Sequence, residues 1–419
     1  MRAATEISPA AGTPHACDNR PSTVWRPRPT IGPNHLWKRS LRKRVLVLGG
    51  GFGGVATAVA LRKRLPASDE VVLVERRASF IMGLRKNWAL TGMAPFEDGQ
   101  RGLWVLNERG IRVINGKVNE IFPADVAVEV DAERIQADAM VVALGAGRNR
   151  KAIPGFEEHA IDYYDPREAM RGAAAIEAFR GGRLVIGVFG APYPCPPAPY
   201  ELALLLAERF ARDKIPGGIF VFTPQPGSLP ILGTEACSAF DGRLASAGIS
   251  FRPKTQAVSI EPGVVVAADT RIPFDLLIGV APHHVPGVVA QSGLTRGAPW
   301  VHVNKLTLET AFPNVYAIGD VTGIGLANGM ALPKSGAFAH AEGEVVAARI
   351  AETFAGLTPS AVYDGTGTCF LETGHGKAAM VSGSFYADPP QVTLSEDSVA
   401  YFAAKQAFEA DRLKSWFGW

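Results

Sequence analysis

Short apolar runs closed by glycine, proline or an acid recur along this chain, with Ala-rich or amphipathic stretches between them. Val45–Leu48, Val71–Val74, Ala139–Leu144, Leu184–Phe189, Gly218–Thr223, Phe274–Val280 and Asn314–Ile318 are unbroken rather than alternating. Unbroken runs of this length predict strands buried on both faces, the habit of parallel sheets. The intervening periodicity predicts helices over 55–65, 167–180, 202–210, 236–248 and 339–354. Ile111–Ile114, Ala127–Val130 and Arg134–Ile135 read as short antiparallel strands. Phe251, Val258, Val264–Val266 and Ile272 read as a separate small sheet.

The first run feeds directly into glycines. Val45–Leu48 is followed by Gly49, Gly51 and Gly54, with Phe52 and Gly53 between the last two. The next apolar strand ends on Glu75, 21 residues beyond Gly54. Strand, glycines, helix, strand and acid in that order form a dinucleotide-binding fingerprint. Gly49 permits a tight turn, Gly51 lets the backbone approach a pyrophosphate, and Gly54 allows close packing of helix on strand. The helix N-terminus then faces the phosphates with unpaired N–H groups, and Glu75 is placed to accept from ribose hydroxyls. A second strand–helix–strand unit opens at Arg183–Gly190 but lacks the third glycine. Prolines crowd its loop, and its second strand ends in Thr223–Pro224 where an acid would be needed. Nicotinamide binding there is disfavoured. The fold class expected is α/β: two tandem Rossmann-like domains plus a C-terminal α+β interface region. The expected division is a basic leader at 1–43, a first domain at 44–150 that returns at 291–355, a second, degenerate domain at 151–290, and an interface region at 356–419.

Composition narrows the partners. The formal charge is only +3, and residues 1–44 carry nine Lys/Arg against Glu6 and Asp18, which leaves the remainder at −4. No global basic field points to nucleic acid. No apolar run is long enough to cross a bilayer, and the basic leader lacks the apolar core of an export signal. A cytoplasmic location follows, with a peripheral position on the inner face of the cell membrane as the variant that Lys405, Phe408, Arg412, Leu413, Lys414, Trp416, Phe417 and Trp419 allow; a helix docked on the protein is the competing reading of that tail. Four cysteines (Cys17, Cys195, Cys237 and Cys369) are too few for a secreted disulfide scaffold, and no His/Cys cluster has zinc spacing, so no metal is expected.

Cys195 follows the second Rossmann strand, and Cys369 lies 174 residues later in a Gly-Thr-Cys turn. A dithiol or disulfide over a flavin is a two-electron relay. Prolines at 194, 196, 197 and 199 stiffen the loop, and Glu201 at the start of the next helix is a candidate proton carrier. Inert core cysteines and a first-turn helix acid are the alternative. His283 and His284 sit in a loop after a strand, as a base or as surface residues. Cys237, within a helix, reads as core.

The run Val315–Thr322, ending in Gly319-Asp320, resembles the second FAD motif of the pyridine-nucleotide-disulfide reductase superfamily. Cys195-Pro-Pro-Ala-Pro-Tyr200-Glu201 is similar to the active-site segment of sulfide:quinone oxidoreductases and, more closely, of the flavoprotein subunit of flavocytochrome c sulfide dehydrogenases. Leu332–Gly336, Gly367–Cys369 and Trp416–Gly418 resemble later motifs of that family. The resemblance implies FAD held by Gly49, Gly51, Phe52, Gly53, Gly54, Glu75, Gly145, Gly319, Asp320 and Lys334. It implies oxidation of sulfide or another small sulfur compound at Cys195 and Cys369, with quinone or cytochrome c as acceptor and a homo-oligomer as one option. Phe80–Gly83 has no cysteine to tether a flavin, so non-covalent FAD is expected. Asp162-Tyr-Tyr-Asp165 stands where quinone-linked members carry a third active-site cysteine. A type II NADH dehydrogenase and a non-enzymatic flavin-binding protein are the two competing readings.

Overall fold

The computed structural model describes residues 42–418, so the leader with Cys17, and Trp419, lie outside the described residues. The opening run becomes the central strand of a five-stranded parallel sheet, in the order Val315–Ala317, Ala139–Val142, Arg44–Leu48, Glu70–Glu75 and Ile111–Asn115. The third strand of the chain's α/β series thus returns beside the first, as its unbroken apolar run required. Ile111–Asn115 departs from the expected antiparallel group: it pairs in parallel with Glu70–Glu75 at the sheet edge. An edge position leaves it half covered, and so its polarity pattern mimicked an exposed hairpin strand.

A second five-stranded parallel sheet runs Ile161–Asp162, Leu276–Val280, Gly182–Val188, Gly217–Phe222 and Ser250–Arg252. Phe251 belongs here, not to the small sheet, which is an antiparallel meander of Ala257–Glu261, Val264–Ala267 and Arg271–Pro273. Last come three antiparallel strands, Thr366–Gly374, Lys377–Ser384 and Gln391–Leu394, and the helix Val399–Phe417.

The glycine turn is built as tightly as the motif predicts. Gly49 has a φ of +109°, and a Cβ on Gly54 would stand 1.7 Å from the Gly49 carbonyl oxygen. The helix Phe52–Arg64 can start directly against the strand only because neither residue has a side chain.

Among the described residues no helix is long and apolar enough to cross a membrane. The terminal helix is docked: Leu413, Trp416 and Phe417 are buried, and Trp416 meets Phe52 and Phe80 edge-on at 5.5 Å. Trp416 and Phe417, two of the side chains that suited a lipid interface, are therefore used in the core. Its inward stripe also carries Lys405 and Glu409, both buried, which is why its apolar period is poor. Cys237 is a core residue of the helix Thr234–Ser246, as its setting in the sequence suggested.

Two acids on the second strand tie the first sheet together. Burial works to raise both carboxyls, but Arg44 at 2.7 Å outweighs it for Glu70, and Arg77 does the same for Glu75, so both sit below the ordinary 4.5. An acid with a depressed folded pKa stabilises above its unfolded value and loses that contribution as the pH falls through the folded one. The thermal midpoint is therefore expected to fall as the pH drops below about 4.5, and Glu70→Gln should flatten that fall. A calorimetric series from pH 6 to pH 3 would check it, an equal slope in the variant being the contrary result.

Candidate active site

One cleft, of about 360 Å³, collects most of the expected site residues: Gly51, Phe52, Gly53, Gly145, Cys195, Glu201, Gly319, Asp320, Lys334 and Cys369 all line it. That volume lies within the roughly 300–1,000 Å³ of ordinary small-ligand pockets. Gly49, Gly54 and Glu75 do not line it. The two glycines shape the turn behind it, and the Glu75 carboxylate accepts the Gly50 N–H at 2.7 Å and the Arg77 N–H at 3.0 Å.

Each wall has a local cause. The glycine turn leaves the backbone at Gly51 open, with no atom within 4 Å of where a Cβ would stand. Opposite it, the strand Val315–Ala317 runs into a 3-10 turn at Gly319–Val321 that brings Asp320 to the cavity. Burial holds the Asp320 carboxyl above its ordinary range, with Lys334 and Lys86 opposing. The Gly319 N–H donates to Glu342 at 2.6 Å, and burial lifts that carboxyl to about 7. Lys334 donates to the backbone carbonyls of Asp320 at 2.7 Å and Thr322 at 2.9 Å, and its ammonium lies 3.5 Å from the centre of the Trp300 ring. Burial lowers its pKa to about 8. Ser335 caps the helix Gly336–Phe354 and starts it at the cavity wall. A helix start and a lysine on one side, with the open backbone of Gly51 on the other, fit a flavin dinucleotide.

The sulfur side is more constrained. Cys195 has a φ of +49°, uncommon for a residue with a side chain. Its N–H donates to the Lys334 carbonyl at 2.6 Å, its own carbonyl accepts from Ala198 at 2.9 Å, and the Tyr164 hydroxyl donates to the Pro194 carbonyl. Those bonds hold a conformation that would otherwise cost on the order of 1–3 kcal/mol. Burial pushes the Cys195 thiol up to about 12 and raises Cys369 as well; Cys369 Sγ lies 3.2 Å from Ser335 Oγ. Neither cysteine is joined in a disulfide.

Behind the sulfurs lies a buried charge network. Glu201 Oε1 accepts from Lys405 Nζ at 2.5 Å and from Asn87 at 2.8 Å, and Glu201 Oε2 accepts the Glu372 N–H at 3.1 Å. Lys405 also donates to Glu372 at 2.5 Å, where the Trp88 indole N–H is a second donor. Asn87 accepts from the Tyr163 hydroxyl at 2.7 Å. Glu201, Glu372, Lys405 and Asn87 are all nearly inaccessible. Glu201 is thus no idle first-turn acid. Burial raises the Glu372 carboxyl; it works against the charge on Lys405, but the two carboxylates outweigh it and hold the ammonium above its ordinary value.

His283 lines the cleft and pairs with Arg148 across a two-residue antiparallel ladder, and burial drives its pKa to about 3. The ring is neutral at any working pH. His284 is exposed, its ring Nδ1–H donating to the Val285 carbonyl at 2.6 Å. Sequence reasoning did not single out Lys86, Asn87, Arg148, Tyr163, Tyr164, Glu372 or Phe370 as site residues.

Residues 43–187 match the family model described as pyridine nucleotide-disulphide oxidoreductase. The mitochondrial sulfide:quinone oxidoreductase of Mus musculus is 24% identical over 365 residues, spanning 82% of this chain and 79% of that protein. A type II NADH:quinone oxidoreductase of Staphylococcus aureus is 26% identical over 365 residues, 82% of this chain and 90% of its own. Among solved structures, the sulfide:quinone oxidoreductase of Aquifex aeolicus superposes with a TM-score of 0.81 at 24% identity, covering 90% of this chain and 92% of that one.

Proposed function

We propose that this chain, an oxidoreductase with the fold of the pyridine nucleotide-disulphide oxidoreductases and related to sulfide:quinone oxidoreductases, oxidises sulfide at Cys195 and Cys369 and delivers two electrons to a quinone. The observation that carries this reading is the convergence of two cysteines, 174 residues apart, on the cavity that also holds Gly51, Asp320 and Lys334. FAD, bound without a covalent tether, supplies the two-electron step between sulfur and quinone.

The residues divide the remaining work. In the oxidised pair, hydrosulfide attacks one sulfur and the S–S bond breaks; one cysteine becomes a persulfide and the other leaves as a thiolate. Gly51, Asp320 and Lys334 would hold the dinucleotide, the lysine supplying a positive charge at the cavity wall. The buried Glu201–Lys405–Glu372 network holds exchangeable protons beside the sulfurs for the two that a quinone needs on reduction. Phe370 and Phe408, ring centres 6.1 Å apart at the cavity wall next to Lys405, offer an apolar seat for the quinone ring.

The NADH-dependent reading has a relative in its favour, the staphylococcal enzyme. Against it stands the second Rossmann unit: its loop is crowded with prolines, and Thr223, where a ribose-binding acid is needed, is fully buried. The decisive measurement is anaerobic bleaching of the flavin band near about 450 nm. Sulfide is expected to bleach it and NADH to leave it unchanged; bleaching by NADH alone would overturn the sulfide reading.

A further inference from the structure

Glu342 is a buried acid that the proposed reaction does not use. It sits two turns into the helix Gly336–Phe354, is 1% exposed and does not line the cleft. Its carboxylate nevertheless reaches the cleft's wall, where it accepts the Gly319 N–H at 2.6 Å. Among the described residues Glu342 forms no ion pair, and that amide has no other acceptor.

Small residues on the same face of the helix bring it against both halves of the cradle. Gly319 has a φ of +69°, and a Cβ there would stand 3.0 Å from the Ala339 Cβ. The turn that presents Asp320 thus rests on the helix about one turn before Glu342. Gly343 lies against the other half: its Cβ would meet Thr57 Oγ1 at 2.5 Å and the Gly53 carbonyl oxygen at 3.0 Å. A Cβ on Gly53 would in turn stand 3.3 Å from the Ala339 Cβ. Such packing sets how near the two segments come, but a methyl against a glycine fixes no direction for the peptide. The hydrogen bond does, because an N–H must aim at its acceptor.

We propose that Glu342 is a positioning residue for the flavin dinucleotide: by holding the Gly319 amide it fixes the Gly319–Asp320 turn against the glycine turn, and so the shape of the cradle between Gly51 and Asp320. The inference rests on the FAD reading above and adds to it a residue set behind the wall of the cradle. Without the acceptor the amide is left unpaired, and the turn loses the bond that aims its peptide. Glutamine keeps an oxygen in reach of that amide, whereas leucine, of similar bulk, has none.

The test compares the full-length holoprotein with Glu342→Gln, Glu342→Leu and Glu342→Ala. FAD release on dilution, read as the return of flavin fluorescence, is expected to be at least about tenfold faster in the leucine and alanine variants, the scale of one amide left unpaired. Glutamine should stay within about threefold of the wild type, since it keeps the bond. Hydrogen exchange of the 319–321 segment, followed by mass spectrometry, should quicken in leucine and alanine but not in glutamine. The alanine variant guards against leucine failing to fold. Release from leucine and alanine at the wild-type rate overturns the proposal, as does equal loss in glutamine and leucine, which would make the carboxylate's charge and not its bond the cause. A wild type that neither carries FAD nor takes it up would sink the flavin reading itself; a wild type that holds FAD while leucine and alanine hold it equally well sinks only the role of Glu342.

Discussion

Replacing Cys195 or Cys369 by serine is expected to lower sulfide-dependent turnover on the order of 10³-fold or more, as loss of a covalent partner does elsewhere. Flavin content should be unchanged. Serine keeps the size of the side chain and, at Cys369, a partner for the Ser335 hydroxyl, so neither the φ of +49° at Cys195 nor the contact at 3.2 Å gives a reason for misfolding. What is lost is the polarisable sulfur that can form and break a bond to another sulfur. Stopped-flow reduction by sulfide, with the flavin band read in the same sample, checks both halves. A serine variant that still reduces its flavin at more than about a tenth of the wild-type rate would remove that cysteine from the route.

The second large effect concerns stability. Lys405→Met leaves Glu201 and Glu372 facing each other in the interior without their shared cation. Breaking a buried ion pair from one side costs about 3–5 kcal/mol, because the remaining charge cannot regain its hydration. The loss should be pH-dependent with a definite sign. Burial already raises the Glu372 carboxyl, and removing the ammonium raises it further. An acid with a raised folded pKa is stabilising while protonated and becomes a penalty as the pH climbs through that value. Lys405→Met is therefore expected to approach wild-type stability in mild acid and to diverge from it towards neutrality. Adding Glu201→Gln should recover part of the deficit at pH 7. Urea unfolding at pH 5 and pH 7.5 tests this; a deficit independent of pH would mean that lost packing, not charge, is the cause.

The parts of this protein readable in its sequence are those set by local rules. Unbroken apolar runs identified parallel strands, and the glycines at 49, 51 and 54 fixed one turn whose crowding tolerates no side chain. The Ile111 strand was misread because an edge strand, covered on one side only, has the polarity of an antiparallel one. Cys195 and Glu201 stood out through their proline-rich setting, and Cys369 through its Gly-Thr-Cys sequence. Lys405 and Glu372 did not, since their importance arises only when residues 204 and 171 positions from Glu201 meet it in space. A signal did exist: Lys405 and Glu409 share a helical stripe with Leu413 and Trp416, and charges on an inward face need partners. Lys86 had no such mark. Its place over the Tyr164 and Tyr163 rings at the cavity wall depends on residues far from it in sequence.

Lys334 meets the sulfur loop and the dinucleotide cradle with different atoms: its main-chain carbonyl receives the Cys195 amide, and its ammonium grips the carbonyls of Asp320 and Thr322. The spacing between the cysteine loop and the Asp320 turn is thereby set by the internal dimensions of one amino acid.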